Sequence, residues 1–150
     1  MASLKEKIHA YALSLCEERI VLAENELKEL SKSAAEDTKS SAGDKYETGR
    51  DMINLEKEKV AENLAVSSKM KSLLSQIDPA IHLSKVRTGS LVRTEEEMFF
   101  ISTSLGKITI DGEVIFAISP ISPIAQVMLD LVIGDSFTFN EKKKSILDLS

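Results

Sequence analysis

Asp44 and Glu47 stand three residues apart in the run Gly43-Asp44-Lys45-Tyr46-Glu47. Carboxylates at that spacing can do two kinds of work. An Asp that opens a helix and a Glu one turn later form a capping pair, which satisfies open backbone N–H groups and suits the helix dipole, at about 0.5 to 2 kcal/mol. Their oxygens are also hard ligands of the type Mg²⁺ prefers, although a surface pair alone would hold that ion weakly. Spacing alone favours capping. Asp51, one turn beyond Glu47, and Glu36 and Asp37 on the facing side widen the acidic cluster.

Ser122 and Pro123 form a second local signal, an N-cap residue followed by proline at the first helical position. Other chemistry is weakly represented. His9 and His82 have no Cys or His at ligand spacing and read as surface or interface residues. There is no Gly-x-Ser-x-Gly elbow, no Walker motif and no dinucleotide fingerprint. The single Cys16 cannot pair within the chain and falls in an apolar helical pattern, as a buried thiol in a reducing cytosol would.

The elements that position the acidic pair follow from periodicity. From residue 3 to about residue 39 there is no Pro or Gly, and Leu4, Ile8, Tyr11, Leu15, Leu22, Leu30 and Ala34 mark one helical stripe. Ser3 and Glu6 have capping-box spacing at its start. Small turn formers interrupt the pattern over residues 38–43, and a second segment, 44–77, carries Tyr46, Ile53, Val60, Leu64, Leu74 and Ile77 near heptad spacing until Asp78-Pro79. Neither helix can bury its stripe alone, so the two are expected to fold back as an antiparallel coiled coil, each roughly 50 Å long. Glu17, Glu18, Glu24, Glu26, Lys57, Lys59 and Glu62 lie outside the stripes and read as solvated faces.

After Pro79 the period changes from helical to alternating. Strands are expected over 86–94, 98–103, 107–110 and 113–118, with Asp111-Gly112 as a two-residue hairpin turn. Ile124, Val127, Met128 and Leu131 predict a helix from Pro123 to about Gly134, and residues 136–140 and 145–149 can close the sheet, with Lys142 to Lys144 as a solvated turn. The fold class is α+β: an antiparallel helical hairpin over 1–78 with an acidic tip, then a small antiparallel sheet with one helix over 79–150.

Composition narrows the function. A net charge of -5 argues against wrapping of nucleic acid, which requires a basic face. With 5% aromatic residues and no Trp, deep stacking pockets are not expected. The first residues lack a signal-peptide core and no uncharged apolar run approaches the roughly 18 residues needed to cross a bilayer, so a cytoplasmic protein without membrane contact is expected.

Four motifs in this order resemble the Gre family of bacterial transcription elongation factors. Ile118-Ser119-Pro120-Ile121-Ser122-Pro123-Ile124-Ala125 is similar to the family's signature leading into its C-terminal helix, Gly134-Asp135 to the Gly-Asp after that helix, Gly89-Ser90-Leu91-Val92 to Gly-Ser-x-Val on its first strand, and Gly43-Asp44-Lys45-Tyr46-Glu47 to the Gly-Asp-x-x-Glu tip. The resemblance covers almost the whole chain. It implies an FKBP-like C-terminal domain that docks on bacterial RNA polymerase, with Ser122 and Pro123 as contacts, and a hairpin that enters the secondary channel of a backtracked enzyme. Asp44 and Glu47 would then help hold a catalytic Mg²⁺ and its attacking water beside the nascent RNA 3′ end, the metal being shared with the polymerase. Lys45 and Arg50 read first as solvated charge and secondly as contacts to RNA phosphate.

On this reading the chain is an accessory factor and no enzyme, with no cofactor of its own, no nuclease activity in isolation and no stable independent binding to nucleic acid. Two departures stand against it. Thr48-Gly49-Arg50-Asp51 replaces the family's Asn-x-Glu-Tyr after Glu47, and Ile121 occupies a position often acidic or Asn. The alternative is a non-catalytic Gre-like regulator that uses the hairpin to bind polymerase or another protein. Prolyl isomerase activity, suggested by the FKBP-like fold, would need an aromatic-lined pocket, whereas Phe99, Phe100, Phe116, Phe137 and Phe139 mostly fall in strand patterns that suggest core.

Overall fold

A computed structural model describes the backbone of residues 2–37 and 43–150 and the side chains of 2–35 and 49–150. Its elements run α1 (Leu4–Asp37), α2 (Gly43–Ser75), β1 (Leu91–Arg93), β2 (Met98–Ile101), β3 (Gly106–Ile110), β4 (Glu113–Ile118), α3 (Pro123–Met128), β5 (Ser136–Phe139), β6 (Lys142–Ser145) and β7 (Asp148–Leu149). The expected class holds, with a long N-terminal two-helix hairpin followed by a small sheet and a helix. Two compact units divide the chain: Ser14–Lys71, and Met1–Leu13 together with Ser72–Ser150.

Within Ser14–Lys71 the helices run antiparallel, since Glu17 of α1 meets Lys71 of α2 at 3.8 Å while Ala23 and Val60 are buried farther along. The α2 side of the seam follows a strict seven-residue repeat. Ile53 and Val60 and Ser67 recur at that interval, and half-buried Leu64 falls between the last two. On α1 the buried positions are Cys16 and Ala23, with Ile20, Leu27, Leu30 and Ala34 half-buried. The expected stripe holds at Leu15, Leu30 and Ala34 but not at Leu22, which is 67% exposed while its neighbour Ala23 takes the seam. Small side chains there let the helix backbones approach, and a one-residue step turns a helix by 100°.

In the other unit a five-stranded sheet has the order β3-β4-β2-β1-β7, and β5 pairs with β6 separately. All pairs are antiparallel except β2 with β4, which align in parallel with Phe99 opposite Phe116. Both faces of β2 are covered, which explains its unbroken apolar run Met98-Phe99-Phe100-Ile101. Phe99 and Ile101 join Ala125 and Met128 of α3, Phe137 of β5 and Ile146 in the main core. Phe100 points the other way by the period of two and meets the His9 ring edge-on, with centroids 6.5 Å apart.

The first turns of α1 are fastened to this unit by polar contacts. Lys5 Nζ donates to the Ile81 carbonyl oxygen at 2.8 Å, and Lys7 pairs with Asp111 at 2.8 Å. The expected capping box is present: Glu6 N–H donates to Ser3 Oγ at 3.1 Å, and Ser3 N–H reaches the Glu6 carboxylate at 3.4 Å.

Three local expectations change. Asp111-Gly112 turns as expected, with φ of 51° and 79°, but a second turn of the same kind at Asn140-Glu141, with φ of 50° and 66°, makes Lys142–Ser145 a strand in place of a solvated turn. The helix from Pro123 ends at Met128, well before Gly134, because Leu129 leaves helical geometry with ψ of 137°. β1 is confined to Leu91–Arg93, since residues 87–90 form a tight turn in which Ser90 N–H donates to the Arg87 carbonyl.

Candidate functional site

At the hairpin's far end α2 begins at Gly43, so the backbone sets Asp44 and Glu47 in its first two turns, one residue inside the helix. Residues three apart share one side of a helix. The side chains of Asp44 and Glu47, and those of Glu36, Asp37 and Lys45, lie outside the described residues. Asp51 and Arg50 are exposed. Among the described residues no group of three or more His, Cys, Asp or Glu is arranged to hold a metal.

The loop between β4 and α3 is described fully. Ser122 occupies the N-cap position with extended geometry, φ -65° and ψ 150°, but its hydroxyl makes no cap bond to the helix. Instead Ser122 Oγ donates backward to the Ser119 carbonyl at 2.7 Å, and Ser122 N–H donates to the same oxygen at 3.0 Å. Ile121 N–H donates to Ser119 Oγ at 3.3 Å, and the Gln126 side-chain amide donates to the Pro120 carbonyl at 3.0 Å. Pro123 is exposed at the first position of α3.

The remaining motif residues build the fold. Gly89, at φ +96°, leaves only 3.2 Å between a notional Cβ and Ile77 Cγ2, so the position requires glycine twice over. Ser90 is fully buried, and its hydroxyl accepts the Arg87 N–H at 2.9 Å. Asp135 Oδ2 accepts the Val132 N–H at 2.9 Å, which closes the turn before β5.

Several titratable groups are perturbed by their surroundings. Burial lowers the Lys5 ammonium below the ordinary lysine range, with Asp78 opposing the shift. Burial also raises the Cys16 thiol, consistent with an inert core cysteine. At Glu95 desolvation pushes the carboxyl up, but hydrogen bonds from its own and the Ser145 backbone and the nearby Lys144 charge outweigh it and hold the group low. A hollow of about 310 Å³ beside Lys5, His82, Arg93 and Asp148 carries both signs of charge and no arrangement that resembles a catalytic set.

His9, expected at a surface or interface, is nearly buried, and its Nε2–H donates to the Leu74 carbonyl. The sequence offered a signal for this, since His9 is next to the stripe residue Ile8. Phe99, Phe100 and Phe137 are buried, and Phe116 and Phe139 pack against the core.

No family model matches the chain, and no curated protein matches it. Among solved structures it is similar to one described as "Structure of the transcription factor Gfh1", with 16% identity, a TM-score of 0.37 and 92% of each chain covered. A likeness that distant leaves the functional reading to the chain's own residues.

Proposed function

We propose that the chain is a Gre-type accessory factor of bacterial RNA polymerase. Residues 79–150 dock on the polymerase, and the hairpin of residues 1–78 enters the secondary channel to stimulate cleavage of backtracked RNA. What supports this is the coincidence of the Gly-Asp-x-x-Glu run with the start of α2, at the junction of helices of 34 and 33 residues. Each helix is roughly 50 Å long, enough to carry an acidic end deep into a channel.

Asp44 and Glu47, three residues apart in the sequence, have the donor chemistry that Mg²⁺ takes, hard anionic oxygens. A shared Mg²⁺ would supply Lewis-acid stabilisation of phosphodiester hydrolysis. The chain's own part is to deliver two carboxylates to the polymerase site and to orient or deprotonate the attacking water. The net charge of -5 fits a protein held by another protein in preference to the RNA itself.

The second reading, a regulator that occupies the same site without stimulating cleavage, is favoured by Thr48-Gly49-Arg50-Asp51 after Glu47. One experiment separates them. The full chain is added to stalled, backtracked elongation complexes from the cognate organism with Mg²⁺, and shortened RNA is measured against a no-factor control. Stimulated cleavage supports the first reading. Binding without added cleavage selects the second, and no binding removes both.

A further inference from the structure

β5 and β6 form a two-stranded sheet of their own, apart from the five-stranded sheet. A hairpin of two strands is marginal in water without further support. This one is also unfavourable within itself: its turn holds Glu141 at φ 66°, in the left-handed region that a Cβ disfavours, and β6 carries three successive lysines. Apolar support comes from Phe137, buried with Phe99 and Met128. Polar support comes from the turn of residues 94–97. Thr94 fixes that turn, its N–H and hydroxyl donating to the Glu97 carbonyl at 2.8 and 3.0 Å while Oγ1 accepts the Glu97 N–H at 3.2 Å. From it Glu95 accepts the Ser145 N–H with both carboxylate oxygens, at 2.7 and 3.0 Å, and Glu97 pairs with Lys144. The Lys144 and Glu97 side chains are only 11% and 29% exposed, and the ammonium lies 6.0 Å from the centre of the Phe99 ring. Solvent screens such a pair poorly, so removal of one partner strands a charge. Glu96, between the two, is exposed and makes neither contact.

We propose that β5–β6 is a strap that opens as one unit without global unfolding, and that Glu95 and Glu97 are the catch that holds it closed. Opening withdraws Phe137 from the core and frees Lys144 to join the exposed Lys142 and Lys143. One movement thus uncovers an apolar side chain and a run of three cations. The inference is independent of the proposed function, since every contact it uses lies within residues 94–145.

Amide hydrogen exchange of the full chain, resolved by residue with NMR, reads the opening. In wild type the hydrogen-bonded amides of β5 and β6 should exchange faster than those of β2 and β4. Glu97→Gln should speed β5–β6 exchange about tenfold or more, whereas Glu96→Gln, which removes the same charge without a contact, should leave it unchanged. Glu141→Gly gives the turn the residue its geometry favours and should slow that exchange severalfold. Ile115→Val trims a fully buried side chain of β4 that the strap does not touch, so it should speed β2 and β4 severalfold and leave β5–β6 alone. Exchange of β5–β6 as slow as that of β2 and β4 in wild type would overturn the strap, and so would an equal acceleration of all four strands by Ile115→Val, because either marks global unfolding as the only route. No effect of Glu97→Gln, or an equal effect of Glu96→Gln, would overturn the catch.

Discussion

His9 Nε2 lies 2.6 Å from the carbonyl oxygen of Leu74, joining the first turns of α1 to the last turn of α2. A carbonyl only accepts, so the bond fixes the proton on Nε2. The same ring meets Phe100 edge-on, so one side chain connects the root of the hairpin helices with the back face of β2.

His9→Ala should therefore destabilise the protein by about 1 to 3 kcal/mol, the sum of a lost hydrogen bond and lost ring packing. Leu74's carbonyl keeps its bond from Ile77 N–H, so the cost stays below that of an orphaned buried acceptor. Urea unfolding measures the difference. An unchanged midpoint would show that the contact contributes nothing.

Lys5→Met tests the buried ammonium next to it. Because burial lowers the folded-state pKa of Lys5, the folded protein binds fewer protons than the unfolded chain as pH approaches the ordinary value of 10.5. Stability contributed by this group therefore rises with pH, from its lowest below the folded pKa to its highest above the unfolded one. Lys5→Met should flatten that alkaline rise, while at neutral pH relief of the buried charge is offset by loss of the hydrogen bond to the Ile81 carbonyl. Melting temperatures of both proteins between neutral and alkaline pH decide it, and parallel curves would rule the argument out.

The seam of the hairpin was legible in period and in most of its positions, and its phase was missed on α1 at Tyr11 and Leu22. Val60 and Leu64 were readable because α2 repeats every seven residues, whereas α1 offers an apolar residue at both Leu22 and Ala23, and size alone points to the wrong one. Strands with a turn signal, such as the β3–β4 pair at Asp111-Gly112, could be read directly. β6 could not, because three lysines in a row mask a strand whose turn lies earlier at Asn140-Glu141. In the loop before α3, Ser122 and Pro123 signalled the helix start, but the backward hydrogen bond of Ser122 depends on how Ser119 is folded, which spacing does not encode.

That phase can be checked by moving a charge one residue. Leu22→Lys should change stability by no more than about 0.5 kcal/mol, since the side chain already faces solvent. Ala23→Lys places an unpartnered ammonium at a position only 6% exposed and should cost about 2 kcal/mol or more. Helical signal during thermal melting reports both. Equal effects would mean that the seam does not distinguish the two positions.

Asp44→Asn with Glu47→Gln should abolish stimulated RNA cleavage while leaving folding and polymerase binding largely unchanged. α2 starts at Gly43, so both residues belong to its first turns, where a negative charge stabilises a helix by about 0.3 to 1 kcal/mol. Amides forfeit that small amount but keep nearly the same shape and hydrogen-bonding reach. Metal assistance depends on the charge itself, because a neutral amide neither holds Mg²⁺ beside the polymerase's carboxylates nor draws a proton from water. The capping and catalytic roles therefore separate in one variant, compared with wild type in melting, polymerase binding and cleavage. Loss of cleavage with the other two intact supports the carboxylates as the working groups. Equal cleavage by both proteins removes Asp44 and Glu47 from the chemistry, and cleavage lost together with binding would show that they serve contact instead.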